Sequence, residues 1–197
     1  MRLLLTSFLH PRLGTFFSGT VAYIPDAART CRDAPFAVEE RQRIARYGFD
    51  VVEVPVAGRP PADLDRILSR VDGIYVASGE TFGLLHVLRS TGADEVVSRH
   101  VREGLPYAAS SAGSIVAGPS IEPNSIMDSP AIAPGLTDYS GLGLVDRVIV
   151  PHAQGTLPPF PIGVIARTVE EYGVDWPLTL LRDGEALLVD EDGCRLV

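Results

Sequence analysis

The stretch LPYAASSAGSIVAG, residues 105–118, constrains the fold more than any other part of this chain. It begins as a short apolar run suited to a buried parallel strand, crowds small residues around Ser111, and continues as the start of an apolar helix. A strand that turns sharply into a helix, with a serine at the turn and small residues on both sides, is typical of a nucleophile elbow. Such a turn exposes the serine hydroxyl. It also leaves the next backbone N–H, that of Ala112, free to stabilise an oxyanion at the helix N-terminus.

Register selects Ser111 among the serines of this stretch. The usual pattern G-x-S-x-G reads ASSAG here at residues 109–113, with alanine in place of the first glycine. Ser114 fits less well, because Ile115 and Val116 follow it and would crowd the turn. The alternative interpretation is a plain strand-to-helix turn with a capping serine.

Predicted strands and helices alternate along most of the chain. This alternation predicts an α/β fold with a mostly parallel sheet, helices on both faces, and a C-terminal β-hairpin closed at Asp192-Gly193. No linker interrupts residues 1–197, so we expect a single domain. In such sheets the ligand site lies beyond the carboxyl ends of the parallel strands.

Charge and composition exclude several classes of function. The net charge of −8 argues against nucleic-acid binding, which needs a basic face, and all 17 basic residues are arginines, which excludes chemistry based on a lysine side chain. No apolar run approaches the roughly 18 residues that span a bilayer, so no membrane association is expected. Cys31 and Cys194 lie far apart and indicate neither disulfides nor a metal site. We therefore expect a cytoplasmic protein without metal or cofactor.

His152 is the candidate base. It directly follows a predicted buried strand, at the sheet edge where Ser111 is expected, although a core histidine is the alternative. A base of this kind needs an acid to orient its ring, and Asp183, Glu185 and Asp128 all remain open for that role. His100, in a predicted helix, is expected at the surface.

A second oxyanion donor is expected from the loop after another predicted strand. Gly79 lies between the strand over residues 72–77 and the helix that Thr81 is expected to cap. Glycine permits the close backbone approach that an anion pocket requires. The alternative is that Gly79 only completes a tight turn.

These segments together resemble peptidase family S51, which includes the aspartyl dipeptidases (peptidase E) and cyanophycinase. Family members carry a G-G-G-N-T loop, a G-x-S-A-G-[AS]-x-x-x-[AG] elbow and a later strand ending in x-P-H. The counterparts here are ASGETF at 77–82, ASSAGSIVAG at 109–118 and VPH at 150–152. The resemblance runs in order over nearly the whole chain.

The resemblance implies a flavodoxin-like, three-layer sandwich similar to class I glutamine amidotransferases. It implies Ser111 as nucleophile, His152 as base and Asp183 as acid, with the N–H groups of Gly79 and Ala112 as oxyanion donors. The implied enzyme is an alpha-aspartyl dipeptidase, a serine exopeptidase that releases N-terminal Asp from short Asp-Xaa peptides. The oligomeric state stays open, with a homodimer as one option.

Departures from the family pattern define the alternatives. Glu80 replaces the family's asparagine, and its carboxylate would repel an acidic substrate if it points into the site. An aspartyl side chain needs a basic partner, and Arg167 is the nearest candidate after His152. The long loop over residues 119–143 is a candidate lid. The other readings are a catalytically inactive binding protein on the same scaffold and a hydrolase of another small amide or ester.

Overall fold

The computed structural model of the protein describes all 197 residues, which form eleven strands and seven helices. The strands are β1 Leu3–Thr6, β2 Thr20–Ile24, β3 Asp50–Glu53, β4 Gly73–Val76, β5 Tyr107–Ser110, β6 Val148–Val150, β7 Thr156–Leu157, β8 Phe160–Pro161, β9 Leu178–Leu180, β10 Ala186–Asp190 and β11 Gly193–Leu196. The helices are α1 Leu13–Phe16, α2 Pro35–Ile44, α3 Pro61–Leu68, α4 Thr81–Thr91, α5 Ala93–Arg102, α6 Ala112–Val116 and α7 Ile162–Tyr172. Three short 3-10 turns cover Asp26–Ala28, Glu122–Ile126 and Pro130–Ile132.

Seven strands form the central sheet, in the order β11-β10-β1-β5-β4-β2-β3. The five strands from β1 to β3 in that order are parallel, whereas β10 pairs antiparallel with both β1 and β11. The last two strands therefore form the C-terminal hairpin. This arrangement confirms the mostly parallel α/β sheet expected from the sequence.

Alternating side chains of the parallel strands build a core on each face of the sheet. Leu3 and Leu5 of β1 point into a cluster of 35 buried residues shared with α3, α4, α5 and α6. Leu4, between them, points into a cluster of 14 shared with α1 and α2. The period of two thus fills both faces, and the result is a three-layer sandwich.

Two small sheets lie beside the central one. Strands β6 and β9 pair in parallel and carry His152 and Asp183 beyond their carboxyl ends. Strands β7 and β8 form a short hairpin directly after His152, which the sequence did not predict. None of the helices combines the length and the apolar character needed to cross a bilayer.

Candidate active site

Ser111 occupies a strained turn between β5 and α6. Its backbone dihedrals are φ 44° and ψ −110°, a region that non-glycine residues rarely adopt outside functional sites. Its N–H donates to the carbonyl oxygen of Thr6 at 3.0 Å, which ties the turn to β1. A Cβ at Gly113 would lie 2.4 Å from the carbonyl oxygen of Val76, so α6 can start this close to β4 only with glycine there. This is the geometry of a nucleophile elbow.

Ser114 has a different environment. It is fully buried, and its hydroxyl accepts from the N–H of Thr6 at 2.9 Å. It lies within donating distance of the carbonyl oxygens of Thr6 and Ala109, both at 2.9 Å. Its contacts hold α6 against β1 and β5.

His152 bridges Ser111 and a carboxylate. Its Nε2 lies 3.3 Å from the Ser111 Oγ, and its Nδ1 lies 2.8 Å from an Asp183 carboxylate oxygen. Donation from Nδ1–H to Asp183 leaves Nε2 free to accept a proton from the serine. The residue is 5% exposed and adopts a positive φ of 57°, and its ring stacks on Phe160 with centroids 5.1 Å apart.

The three carboxylates left open by the sequence have separate partners. Asp183 alone contacts His152. Glu185 accepts from the N–H of Arg182 at 2.9 Å. Asp128 accepts from the N–H of Thr81 at 2.5 Å, so this aspartate caps α4 and Thr81 is its first helical residue rather than its cap.

Ser7 connects the acid and the base, a role that was not predicted from the sequence. Its hydroxyl donates to Asp183 at 2.6 Å and accepts from the backbone N–H of His152 at 2.7 Å. Burial raises the pKa of Asp183, but hydrogen bonds from Ser7, His152 and Gln154 together hold it below the usual value. The signal was available, because Ser7 directly follows β1 at the same sheet edge as Ser111.

Gly79 stands where only glycine fits. Its φ is 144°, and a Cβ there would lie 2.2 Å from the carbonyl oxygen of Ala27. That carbonyl also accepts the N–H of Glu80 at 2.8 Å, which fixes the loop after β4. The N–H groups of Gly79 and Ala112 donate to no loop or turn carbonyl, which an oxyanion donor requires.

A cavity of about 540 Å³ opens over these groups and is lined by Ser111, His152, Gly79 and Glu80. Arg167 does not reach it, which corrects the expectation for that residue. Helix α7 buries Ile165 and Thr168, so Arg167 between them points outward. Its side chain is 70% exposed and lies 3.9 Å from Glu171.

The wall of the cavity next to His152 is the short hairpin of β7 and β8, which contributes Leu157, Pro159 and Phe160. Residues 119–143 contribute nothing to the lining, because Leu136 and Leu142 of this segment pack into the larger core. In this structure the long loop does not cover the cavity. The hairpin contacts the site instead.

A buried carboxyl group, that of Glu40, underlies the site and was also missed. It is 1% exposed and accepts hydrogen bonds from Ser110, from the Tyr75 hydroxyl at 2.6 Å, and from the Ser78 hydroxyl at 2.6 Å and N–H at 3.1 Å. Ser110 and Ser78 immediately precede Ser111 and Gly79. The helical spacing of Glu40 with the buried Ala37 and Ile44 was the available signal, because it places Glu40 on the inner face of α2.

His100 also departs from expectation. It is 9% exposed, and its Nε2 lies 2.7 Å from an Asp65 carboxylate oxygen, whereas the sequence predicted a surface position. It shares the inner face of α5 with Val96 and Val97. The pair lies between α3 and α5, away from the cavity.

Comparison with known proteins gives consistent matches. The model of peptidase family S51 matches residues 4–197. An uncharacterized peptidase of Listeria innocua is 34% identical over 174 residues, which cover 88% of this chain and 81% of that protein. Peptidase E of Streptomyces coelicolor is 34% identical over 164 residues, or 80% of this chain and 63% of that protein. A crystal structure from Listeria monocytogenes, provisionally named a peptidase E protein, superposes with a TM-score of 0.89 at 28% identity and covers 100% of this chain and 97% of that one.

Proposed function

This chain belongs to peptidase family S51, a family of serine peptidases, and we propose that it hydrolyses short peptides at their N-terminus through an acyl-enzyme on Ser111. The observation that carries this proposal is the continuous chain of contacts from Ser111 through His152 to Asp183. The inactive-binder alternative is less favoured, because a binding protein has no need for a strained serine turn aligned with a histidine and a carboxylate.

In the proposed mechanism, His152 Nε2 removes the proton from Ser111 as the Oγ attacks the carbonyl carbon of the first peptide bond. The N–H groups of Gly79 and Ala112 stabilise the negative oxygen of the tetrahedral intermediate. His152 then donates the proton to the leaving amine as the C–N bond breaks. Water, activated by the same histidine, hydrolyses the acyl-enzyme and regenerates Ser111.

Asp183 keeps the histidine ring in the productive orientation and stabilises it while it carries the proton. The hydrogen bond from Ser7 fixes the carboxylate in turn. Stacking on Phe160 restricts rotation of the imidazole on its other side. All three contacts prepare the base before a substrate arrives.

Specificity for N-terminal aspartate is the narrower hypothesis within this proposal. It is supported by the family resemblance and by relatives named peptidase E. Against it, none of the residues that line the cavity is an arginine, and Arg43, which lies over the ring of Phe8, is already paired with Glu39 at 3.3 Å. Asp-Xaa dipeptides therefore belong in the first substrate panel beside Glu-Xaa and Ala-Xaa.

The test compares wild type, Ser111→Ala and the matched control Ser18→Ala, which removes an exposed serine hydroxyl. A serine-reactive phosphonate should label wild type and Ser18→Ala but not Ser111→Ala. Hydrolysis of any cleaved dipeptide should fall by on the order of 10⁵-fold in Ser111→Ala, since loss of the nucleophile removes the covalent route. Labelling or hydrolysis that survives in Ser111→Ala would overturn the proposal.

A further inference from the structure

The surface of the cavity around Ser111 is predominantly apolar. Five hydrophobic residues line it: Phe8, Phe36, Leu157, Pro159 and Phe160. Phe36 is a large apolar side chain, yet it is 38% exposed because nothing in the fold covers it. Covering an apolar surface of this kind with an apolar side chain lowers the free energy of the complex. A carboxylate in the same place brings no such stabilisation.

The charged groups of the cavity are acidic. Glu39 and Glu80 both line it. The charge of Glu39 is compensated by Arg43, which lies 3.3 Å from it. The Arg43 guanidinium in turn stacks over the ring of Phe8. Glu80 receives a hydrogen bond from the Thr30 hydroxyl at 2.7 Å but makes no ion pair.

Glu80 is therefore the cavity carboxylate that forms no salt bridge, and the nearby Arg29 guanidinium does not contact it directly. Its negative charge acts on the neighbouring Cys31 thiol, whose pKa is raised by burial and then by Glu80. A carboxylate next to Gly79, in the loop that faces the scissile carbonyl, is well placed to accept a charge-assisted hydrogen bond from an ammonium group. A peptide with a free N-terminus carries such a group on the α-carbon next to the scissile carbonyl.

We propose that this cavity selects short peptides with an apolar N-terminal residue, holds their α-ammonium group through Glu80, and discriminates against N-terminal aspartate. The inference rests on the proposed function, since it specifies the substrate of the same Ser111 site. The apolar side chain lies against Phe8, Phe36 and the β7–β8 hairpin. An aspartyl side chain in the same place loses its hydration, meets no arginine among the lining residues, since Arg43 above Phe8 is already paired with Glu39, and is repelled by Glu80.

The experiment measures kcat and KM for Phe-Ala, Leu-Ala, Arg-Ala and Asp-Ala, together with 3-phenylpropanoyl-Ala, which is Phe-Ala without its ammonium group. Wild type is compared with Glu80→Gln and with Glu122→Gln, which removes the same charge from an exposed position outside the cavity. In wild type, we expect kcat/KM for Phe-Ala and Leu-Ala to exceed that for Asp-Ala by at least about tenfold, since like charges disfavour the acidic substrate.

For Glu80→Gln, kcat/KM for Phe-Ala should fall by about tenfold, mainly through KM, because a charge-assisted hydrogen bond to the ammonium is lost. The des-amino substrate should change by less than about twofold, which also shows that the variant is folded. The ratio of Phe-Ala to Asp-Ala hydrolysis should drop, and Glu122→Gln should behave as wild type.

Four outcomes would overturn the inference: fastest cleavage of Asp-Ala, fastest cleavage of Arg-Ala, equal sensitivity of both Phe substrates to Glu80→Gln, or an equal loss in Glu122→Gln. Phosphonate labelling of Ser111 separates the two proposals. If Ser111 is labelled but apolar peptides are not preferred, only the substrate class is wrong. If Ser111 is neither labelled nor required for hydrolysis, the proposed function fails with it.

Discussion

Two carboxyl-bearing side chains support the site around Ser111, and their surroundings differ sharply. Glu40 is 1% exposed and contacts the residues just before Ser111 and Gly79, with no histidine or arginine among its partners. The Asp183 side chain is 30% exposed and contacts His152 directly. One carboxyl group is surrounded by hydroxyl and N–H donors, and the other by an imidazole ring, a hydroxyl and a partly exposed glutamine.

The difference separates two ways of supporting a nucleophile. Glu40 fixes the spacing between the elbow and the oxyanion loop, because Ser110 and Ser78 are bonded to the same carboxyl group. Burial makes any unpaired donor in that cluster costly in free energy, so the main effect of Glu40 is on the stability of the fold. Asp183 acts on the charge and orientation of the base, so its main effect is on the reaction.

The largest expected effect comes from Asp183→Asn. An amide there no longer stabilises the protonated ring and permits the wrong tautomer, so kcat should fall by about 10⁴-fold, while the unfolding free energy should fall less than in a variant of the buried Glu40. Steady-state kinetics and urea unfolding measure the two quantities. Glu185→Gln, which alters a neighbouring carboxylate bonded to Arg182, is the control. A loss below tenfold in Asp183→Asn would remove Asp183 from the proposed mechanism.

Glu40→Ala should give the reverse pattern. It leaves buried donors of Ser78, Tyr75 and Ser110 without their acceptor and should lower the unfolding free energy by about 3 kcal/mol. The melting temperature should fall by about 10 °C for a chain of this size. Remaining activity measured well below that temperature should exceed that of Asp183→Asn. Tyr75→Phe, which removes one donor and keeps the carboxyl group, should cost only about 1 kcal/mol. Equal losses in the two variants would contradict a shared role of Glu40.

The smallest expected effect is a change in how the unfolding free energy depends on pH, and it tests the role of Asp183. The native pKa of Asp183 lies below its unfolded value, so its stabilisation is present above the unfolded pKa and is lost as the pH falls through the native pKa. Ser7→Ala removes one of the hydrogen bonds that lower this pKa. The stability difference between wild type and Ser7→Ala should therefore shrink between about pH 5 and pH 2, which urea unfolding at each pH measures. A difference that is independent of pH would mean that Ser7 acts only through the backbone of His152.

The sequence predicted those features that depend on local pattern. Alternation of strands and helices indicated the sheet, and the small residues around Ser111 indicated the turn, since both follow from backbone sterics. The choice among Asp183, Glu185 and Asp128 depends on the direction of side chains in two loops, which spacing does not encode. Chain order placed Asp183 and Glu185 near the edge that carries Ser111, and left Asp128 in the long loop as their rival.

Other features escaped prediction for separate physical reasons. Glu40 was overlooked because a charged residue in an exposed-looking helix is expected to face water. Arg167 was assigned to the site because proximity in sequence ignores the rotation of α7, which turns this side chain outward. Strands β7 and β8 have two residues each, too few for any periodicity.

That short hairpin has an evolutionary and engineering consequence. Gly155 fixes the start of the hairpin, because its φ is 67° and a Cβ there would have no room against Ile162. Helix α7 begins where the hairpin ends. The segment between these anchors forms one wall of the cavity, and Phe160 is its single stacking contact with the His152 ring. Residues 157–159 can therefore be exchanged as a cassette that changes what the enzyme accepts and leaves its reacting groups in place. Libraries restricted to these three positions would be a compact route to new peptide preferences.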